Sequence, residues 1–127
     1  MNKLILNSDT SIFLQIRNVI TDGILRDIFC EETRVPSTNE LAEMYKINPA
    51  TAAKGINLLV DEGILYKKRG VGMFVATGAK TQIITKRKEQ FFDSFVKNMV
   101  NEAKNLNIAR DELVEMIDKA NENKENF

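Results

Sequence analysis

Histidine is absent from the 127 residues, and cysteine occurs once, at Cys30. A lone cysteine excludes a disulfide within the chain. Without histidine the usual zinc and iron ligand sets cannot be assembled, so no metal and no cofactor is expected. The commonest general base is missing too. No phosphate loop of the P-loop type and no Gly-x-Ser-x-Gly elbow occurs, and Cys30 has no activating partner in sequence, so catalysis is not expected. Long apolar runs are also lacking: none approaches the ~20 residues that span a bilayer. Met1-Asn2-Lys3 leads into a short mixed segment without the apolar core of a signal peptide. The expectation is a cytoplasmic protein with no membrane partner.

One further absence is local. From Gly63 to Lys88 there are seven lysines and arginines and no acidic residue, although the whole chain balances at 18 of each sign. Residues 1–88 hold 13 basic and 9 acidic side chains, and residues 89–127 hold 5 and 9. Fixed cations gain by replacing condensed counterions on a phosphate backbone, so the basic part fits a polyanion partner. A solvated basic face is the alternative on charge alone.

What is present points to one core with an extension, since 43% of the side chains are hydrophobic. From Ile12 to Ile28 apolar residues recur at the helical period, with Ser11 as N-cap, and the acidic stretch Asp27–Thr33 ends the helix. Ser37 stands three residues before Glu40, the spacing of a capping box, and a helix of about ten residues follows. Asn48-Pro49 announces a third helix, Asn as cap and Pro at the first helical position. On it Ala52, Ile56 and Leu59 share a core face, while Ala50, Lys54 and Asn57 point the other way. Gly63 closes this helix. Ile64–Lys68, the turn Arg69-Gly70-Val71-Gly72 and Met73–Ala76 then predict a β-hairpin, with both glycines able to bring the backbone close to another surface. Residues 79–88 read as a basic connector. From Glu89 a new helix carries Phe91, Phe92, Phe95, Val96, Met99, Val100, Ala103 and Leu106 on a wide apolar stripe. A last helix is expected over Arg110–Ala120, before a tail that frays from Asn121 to Phe127.

Helix, short helix, turn, helix and basic hairpin is the layout of a winged helix-turn-helix. The fold class expected is therefore mainly α with a small β-hairpin: a winged helix-turn-helix over 1–78, the connector 79–88 and a two-helix dimerisation segment over 89–127. The third helix would offer Thr51, Lys54 and Asn57 to a major groove. The hairpin would act as a wing, with Lys67, Lys68 and Arg69 on phosphates or the minor groove and Gly70 and Gly72 letting the tip lie against the backbone.

These residues also resemble a known family, the bacterial GntR-type transcription regulators. The similar stretches are Ile12-Phe13-Leu14-Gln15-Ile16, Val35-Pro36-Ser37-Thr38-Asn39-Glu40-Leu41-Ala42, Gly63-Ile64-Leu65 and Arg69-Gly70-Val71-Gly72-Met73-Phe74-Val75. Asn48-Pro49-Ala50-Thr51, with Lys54, is similar to the YtrA subfamily, which has a short helical C-terminal part in place of a large effector domain. The resemblance covers about residues 8–78 most strongly. It implies a homodimeric regulator, often a repressor, that binds a palindromic operator in double-stranded DNA, and for the YtrA-like members an operon of transporter genes. It also implies DNA contacts from Ser37, Thr38, Asn39, Asn48 and Ala50. The chain departs from the pattern at Asn39, where arginine is common, and at Ala50 and Ala53, where larger polar residues are usual. More of the affinity then falls to Lys54 and the wing. Ala109 stands where a Ser-type cap would precede the last helix.

Two questions stay open in the sequence. The stripe of Phe91, Phe92, Phe95 and Met99 needs a cover, for which a second chain is expected and the chain's own winged region is the alternative. A protein-interaction module built on the same scaffold is the other functional class. The acid-free wing argues against it, and salt-dependent binding to duplex DNA separates the two. A small-molecule effector is not indicated, though a dimer interface can hold a pocket.

Overall fold

In the computed structural model, which describes residues 11–125 (123–125 as backbone alone), helix α1 spans Ile12–Leu25 and buries Ile16, Val19, Ile20 and Ile24. It stops three residues short of the expected Ile28. Phe29 folds back onto Gly23, where a Cβ would come within 2.4 Å of the ring. The amides of Ile28 and Phe29 donate to the Gly23 carbonyl at 2.8 and 3.1 Å, Asp27 takes a φ of 62°, and Ile28 is left exposed. The stretch before Ser11 and the last two residues of the expected tail lie outside the described residues.

Helix α2 covers Thr38–Tyr45, eight residues. Its capping box is complete: the Glu40 amide donates to Ser37 Oγ at 3.0 Å and the Ser37 amide to Glu40 Oε1 at 2.9 Å. Helix α3 covers Pro49–Asp61, with the Ala50 amide donating to Asn48 Oδ1 at 2.8 Å. The turn between them opens on Lys46 in the left-handed conformation, φ 57°. α1 and α3 cross at Gly55, where a Cβ would stand 2.6 Å from the Phe13 carbonyl oxygen and 3.1 Å from Ile16. Glycine weakens a helix interior by about 1 kcal/mol, and here it allows a backbone approach that no other residue permits.

Strands β1 (Leu65–Lys68) and β2 (Gly72–Val75) pair antiparallel, Leu65 opposite Val75 and Lys68 opposite Gly72. Residues 32–35 run along the other edge of β2. The Val35 amide donates to Met73 O and the Val75 amide to Thr33 O, each at 3.0 Å, and the Glu32 amide to Val75 O at 2.8 Å. The outer edge of β2 is thereby paired. Ile16, Ile20, Ile24, Val35, Leu41, Ala52, Ile56, Leu59, Leu65 and Val75 form the core.

The expected connector is helical instead. Helix α4 runs Ala79–Phe91, and its first two turns bury Ala79 and Ile83, four residues apart, in that same core. Glu31 caps its start, accepting from the Gly78 and Lys80 amides at 3.0 and 3.4 Å. Three apolar residues among ten, Ala79, Ile83 and Ile84, give too weak a periodicity to announce a helix, and the cap comes from a residue about fifty positions away. A bidentate pair holds the ensemble together: Arg17 Nε and Nη2 donate to Glu62 Oε1 and Oε2 at 2.8 and 2.7 Å, and Lys86 Nζ reaches Oε2 at 3.0 Å. Hydrogen bonds from Arg17, ahead of those from Lys86, hold the Glu62 carboxyl below its ordinary value.

The chain divides into two compact units, Met1–Lys86 and Arg87–Phe127. In the second, a five-residue π turn, Phe92–Val96, precedes α5 (Lys97–Asn105) and α6 (Arg110–Glu125). α6 starts at Arg110 although Ala109 offers no side-chain cap. Asp111 and Glu112 in its first turn face the positive end of the helix dipole. It continues to Glu125, beyond the expected end at Ala120, because no glycine or proline interrupts residues 110–125. Among the described residues no helix is long and apolar enough to cross a membrane.

Candidate nucleic-acid interface

On α3 the apolar face is consumed by the core, with Ala52, Ile56 and Leu59 each no more than 1% exposed. This leaves Ala50, Lys54 and Asn57 outward and Thr51 partly outward. An outward strip along one side of the helix results, polar at Thr51, Lys54 and Asn57. Lys54 is not extended into solvent: its Nζ lies 4.1 Å from the centroid of the Phe13 ring on α1. The cation–π contact places the charge at the α1 side of the strip. Asn48 spends its oxygen on the cap and keeps its amide N–H groups free of that bond. Asn39 is exposed on the first turn of α2, while Ser37 and Thr38 beside it are half-buried. Ser37 Oγ already accepts the capping bond, and its hydroxyl hydrogen remains a donor.

The wing separates cations that adjoin in sequence. Side chains alternate faces along a strand, so Lys67, opposite Met73, lies on the face that carries Leu65 and Val75, and Lys68 lies on the face of Tyr66 and Phe74. Lys68 Nζ sits 4.2 Å from the Phe74 ring centroid and 5.9 Å from that of Tyr66. Arg69 is exposed at the tip, where the Val71 amide donates to Lys68 O at 2.9 Å and Gly70 has φ 77°. All three charges are exposed, but Lys67 and Lys68 look in opposite directions.

Three features of this surface are not announced by the sequence. Arg34 lies across Gly72, so a Cβ at Gly72 would meet Arg34 Nε at 2.8 Å. Arg34 Nη2 donates to Glu40 Oε1 at 3.2 Å. The guanidinium thus stands where the wing, the third edge segment and the start of α2 converge. Its place directly before Val35-Pro36-Ser37 is the one signal that could have found it. Secondly, Glu32 accepts from Tyr66 Oη, from Thr77 Oγ1 at 2.7 Å and from the Thr77 amide at 3.1 Å, anchoring the root of the wing. These bonds, Thr77 foremost, depress its pKa. Thirdly, Lys80 Nζ pairs with Asp27 at 2.9 Å, so this cation of the acid-free stretch is already neutralised.

The second unit has no comparable polar site. Phe91, Phe92 and Phe95 are 57%, 53% and 64% exposed, and Met99, Val100, Leu106, Val114, Met116 and Ile117 are exposed as well. Among its described residues only Ala103 is a buried hydrophobic. No group of acidic or cysteine side chains that could hold a metal ion occurs among the described residues.

The sequence profile of the bacterial regulatory proteins of the gntR family matches residues 11–75. The chain is 34% identical over 77 residues to the HTH-type transcriptional repressor YtrA of Bacillus subtilis, 61% of this chain and 59% of YtrA. Matches to other curated regulators span as little as 16% of the relative's own length. Among solved structures, a GntR-family putative transcriptional regulator from Bacteroides thetaiotaomicron superposes with a TM-score of 0.75 at 35% identity, covering 89% of this chain and 98% of that one. The DNA-binding domain of AraR in complex with operator ORX1 superposes with a TM-score of 0.51 at 27% identity, covering 60% and 93%.

Proposed function

The chain belongs to the gntR family of bacterial regulatory proteins, with YtrA among its relatives, and from that premise we propose that it is a homodimeric repressor binding a palindromic operator. The observation that supports this most directly is the placement of two exposed surfaces on one scaffold. The strip Ala50, Thr51, Lys54 and Asn57 on α3 suits a major groove, and the hairpin with Lys67, Lys68, Arg69, Gly70 and Gly72 suits the phosphate backbone beside it. Ser37, Thr38 and Asn39 at the start of α2, with Asn48 at the start of α3, supply neutral donors for phosphate or base edges. Arg34 joins this set between α2 and the wing.

Because Lys67 and Lys68 point to opposite faces, a duplex lying against one wing face meets one of them and the tip residue Arg69. The two faces give the wing two ways to engage, along the backbone or with its edge in the minor groove. Operator choice rests on Thr51, Lys54 and Asn57, since Ala50 and Ala53 offer only apolar contact, of the kind that suits a thymine methyl. Residues 1–88 act as the reading head, and residues 89–127 pair two heads through the exposed apolar stripe that carries Phe91, Phe95 and Met99. In the YtrA-like organisation the regulated genes are a transporter operon.

Selection of duplexes from a random-sequence library by the full chain tests this reading. The expected product is an inverted repeat whose binding weakens steeply with salt. Enrichment of no sequence, or of a single unrepeated half-site, would contradict it.

A further inference from the structure

The π turn over Phe92–Val96 interrupts a helix whose exposed face is the richest in aromatic side chains on the molecule. In it the Lys97 amide donates to the Phe92 carbonyl, five residues back instead of four. One turn therefore takes up one extra residue. Since an α-helix advances about 100° per residue, every residue beyond the turn faces as if numbered one lower.

This lag changes which side chains share a line. With it, Met99, Ala103 and Leu106 stand seven, eleven and fourteen helical positions after Phe91, the spacings that return to one face. In an uninterrupted α-helix the same three would be turned away from Phe91 by about 60–120°. Phe91 and Phe95 are already in contact, ring centroids 5.4 Å apart. Phe92 falls to the flank: with Val96, Lys97, Val100 and Asn101 it lines an open groove of about 250 Å³. There Lys97 Nζ lies 5.5 Å from its ring and 3.2 Å from Asp93.

We propose that the π turn is a register device that aligns Phe91, Phe95, Met99, Ala103 and Leu106 into one seam, and that the same segment of a second copy covers this seam, with Phe92 outside it. The proposal rests on the homodimer reading above and adds to it which residues form the seam and why. A second copy is the occupant that the charges fit. The segment is entered through the basic run Lys86-Arg87-Lys88 and ends in the acid-rich α6, with Asp111, Glu112 and Glu115. A two-fold, antiparallel pairing sets the basic end of each copy beside the acidic end of the other. The unit also lacks cover of its own, as the exposure of its phenylalanines shows.

Deleting Ser94 removes the extra residue and restores an uninterrupted α-helix. By analytical ultracentrifugation, the full chain is expected to dimerise, and the deletion variant to keep its helical circular dichroism while its dissociation constant rises by about a hundredfold or more, the scale of a lost interface centre. A full chain that is itself monomeric would refute the homodimer reading. A dimeric full chain with an equally dimeric deletion variant would refute the register device alone. If the deletion variant loses its helical signal, Phe95→Asp and Phe92→Asp decide. Dimerisation weakened at least about tenfold more by the first than by the second supports the seam, and equal effects overturn it.

Discussion

The two units treat the same kind of side chain in opposite ways. In the first, Ile16, Ile20, Ile56, Leu59 and Leu65 are hidden to within 1% of their surface. In the second, three phenylalanines show more than half of theirs. Composition does not explain the contrast, because both contain amphipathic helices with a well-defined apolar face. The difference is tertiary. α1, α2, α3, the hairpin and the start of α4 enclose one another's faces, whereas the π turn, α5 and α6 find little within their unit to enclose theirs. An apolar face left open in a unit of about forty residues is an unfinished core, and completion from outside the chain is the physical remedy.

The largest expected effect comes from removing the open unit. A chain ending at Lys88 keeps Ala79 and Ile83 in the core, and the Lys86 and Gln82 bonds to Glu62, so it should unfold cooperatively as a monomer. Its affinity for the selected operator should fall by ~10²–10⁴, since the second head no longer binds as an intramolecular event. An unchanged affinity in a gel-shift titration would erase the functional side of the contrast. The matching loss inside the closed unit is structural. Ending the chain at Gly78 instead strips Ile83 from the core and should lower unfolding stability by a further ~2–5 kcal/mol in urea. Equal midpoints for the two truncations would show that α4 adds nothing to the first unit.

Smaller effects probe the reading head alone. Lys54→Ala should weaken operator binding by about 1–3 kcal/mol if it reads a base edge, and should weaken all sequences alike if it meets phosphate. No change on the native operator would leave it a structural partner of Phe13. For the wing, Lys67→Ala and Lys68→Ala measured singly should differ in salt slope, by up to about 0.9 for each phosphate no longer neutralised. Identical slopes would show that the opposed faces of the hairpin make no difference on DNA. The smallest effect is thermodynamic. Arg17→Ala should cost about 1–2 kcal/mol at neutral pH. The folded carboxyl of Glu62 is held below its ordinary value of 4.5, so this contribution is fully present above that value and is lost as pH falls through the depressed one. The wild type should therefore lose more stability than the Arg17→Ala variant on acidification below about pH 4.5. Parallel stability curves would remove the pair from the account.

How much of this could be read beforehand follows from the range of the forces involved. The capping box of Ser37 and Glu40, the Asn48-Pro49 start of α3 and the buried Ala52–Ile56–Leu59 face depend on neighbours within a turn or two, and sequence spacing carries them. The helical start of α4 depends on Glu31 and on the core beneath Ile83, so in sequence it has the look of a connector. Gly55 is invisible there as a packing residue because its role lies in the Phe13 carbonyl opposite. The π turn leaves no trace in a periodicity that assumes one constant step, and the stripe reads too wide, with Phe92 in its centre. At the interface the residue types are legible but their facing is not. Lys67-Lys68-Arg69 reads as one cluster and folds as two faces and a tip, and Arg34 joins only because residues 32–35 pair with β2.

Sedimentation velocity of the full chain at micromolar concentration, beside a Phe91→Asp, Phe95→Asp double variant, tests the claim that the second unit is half of a shared core. The account predicts a species of about twice 14.4 kDa for the full chain and a folded monomer for the variant. A monomeric full chain, or a variant that sediments as the dimer, would contradict it.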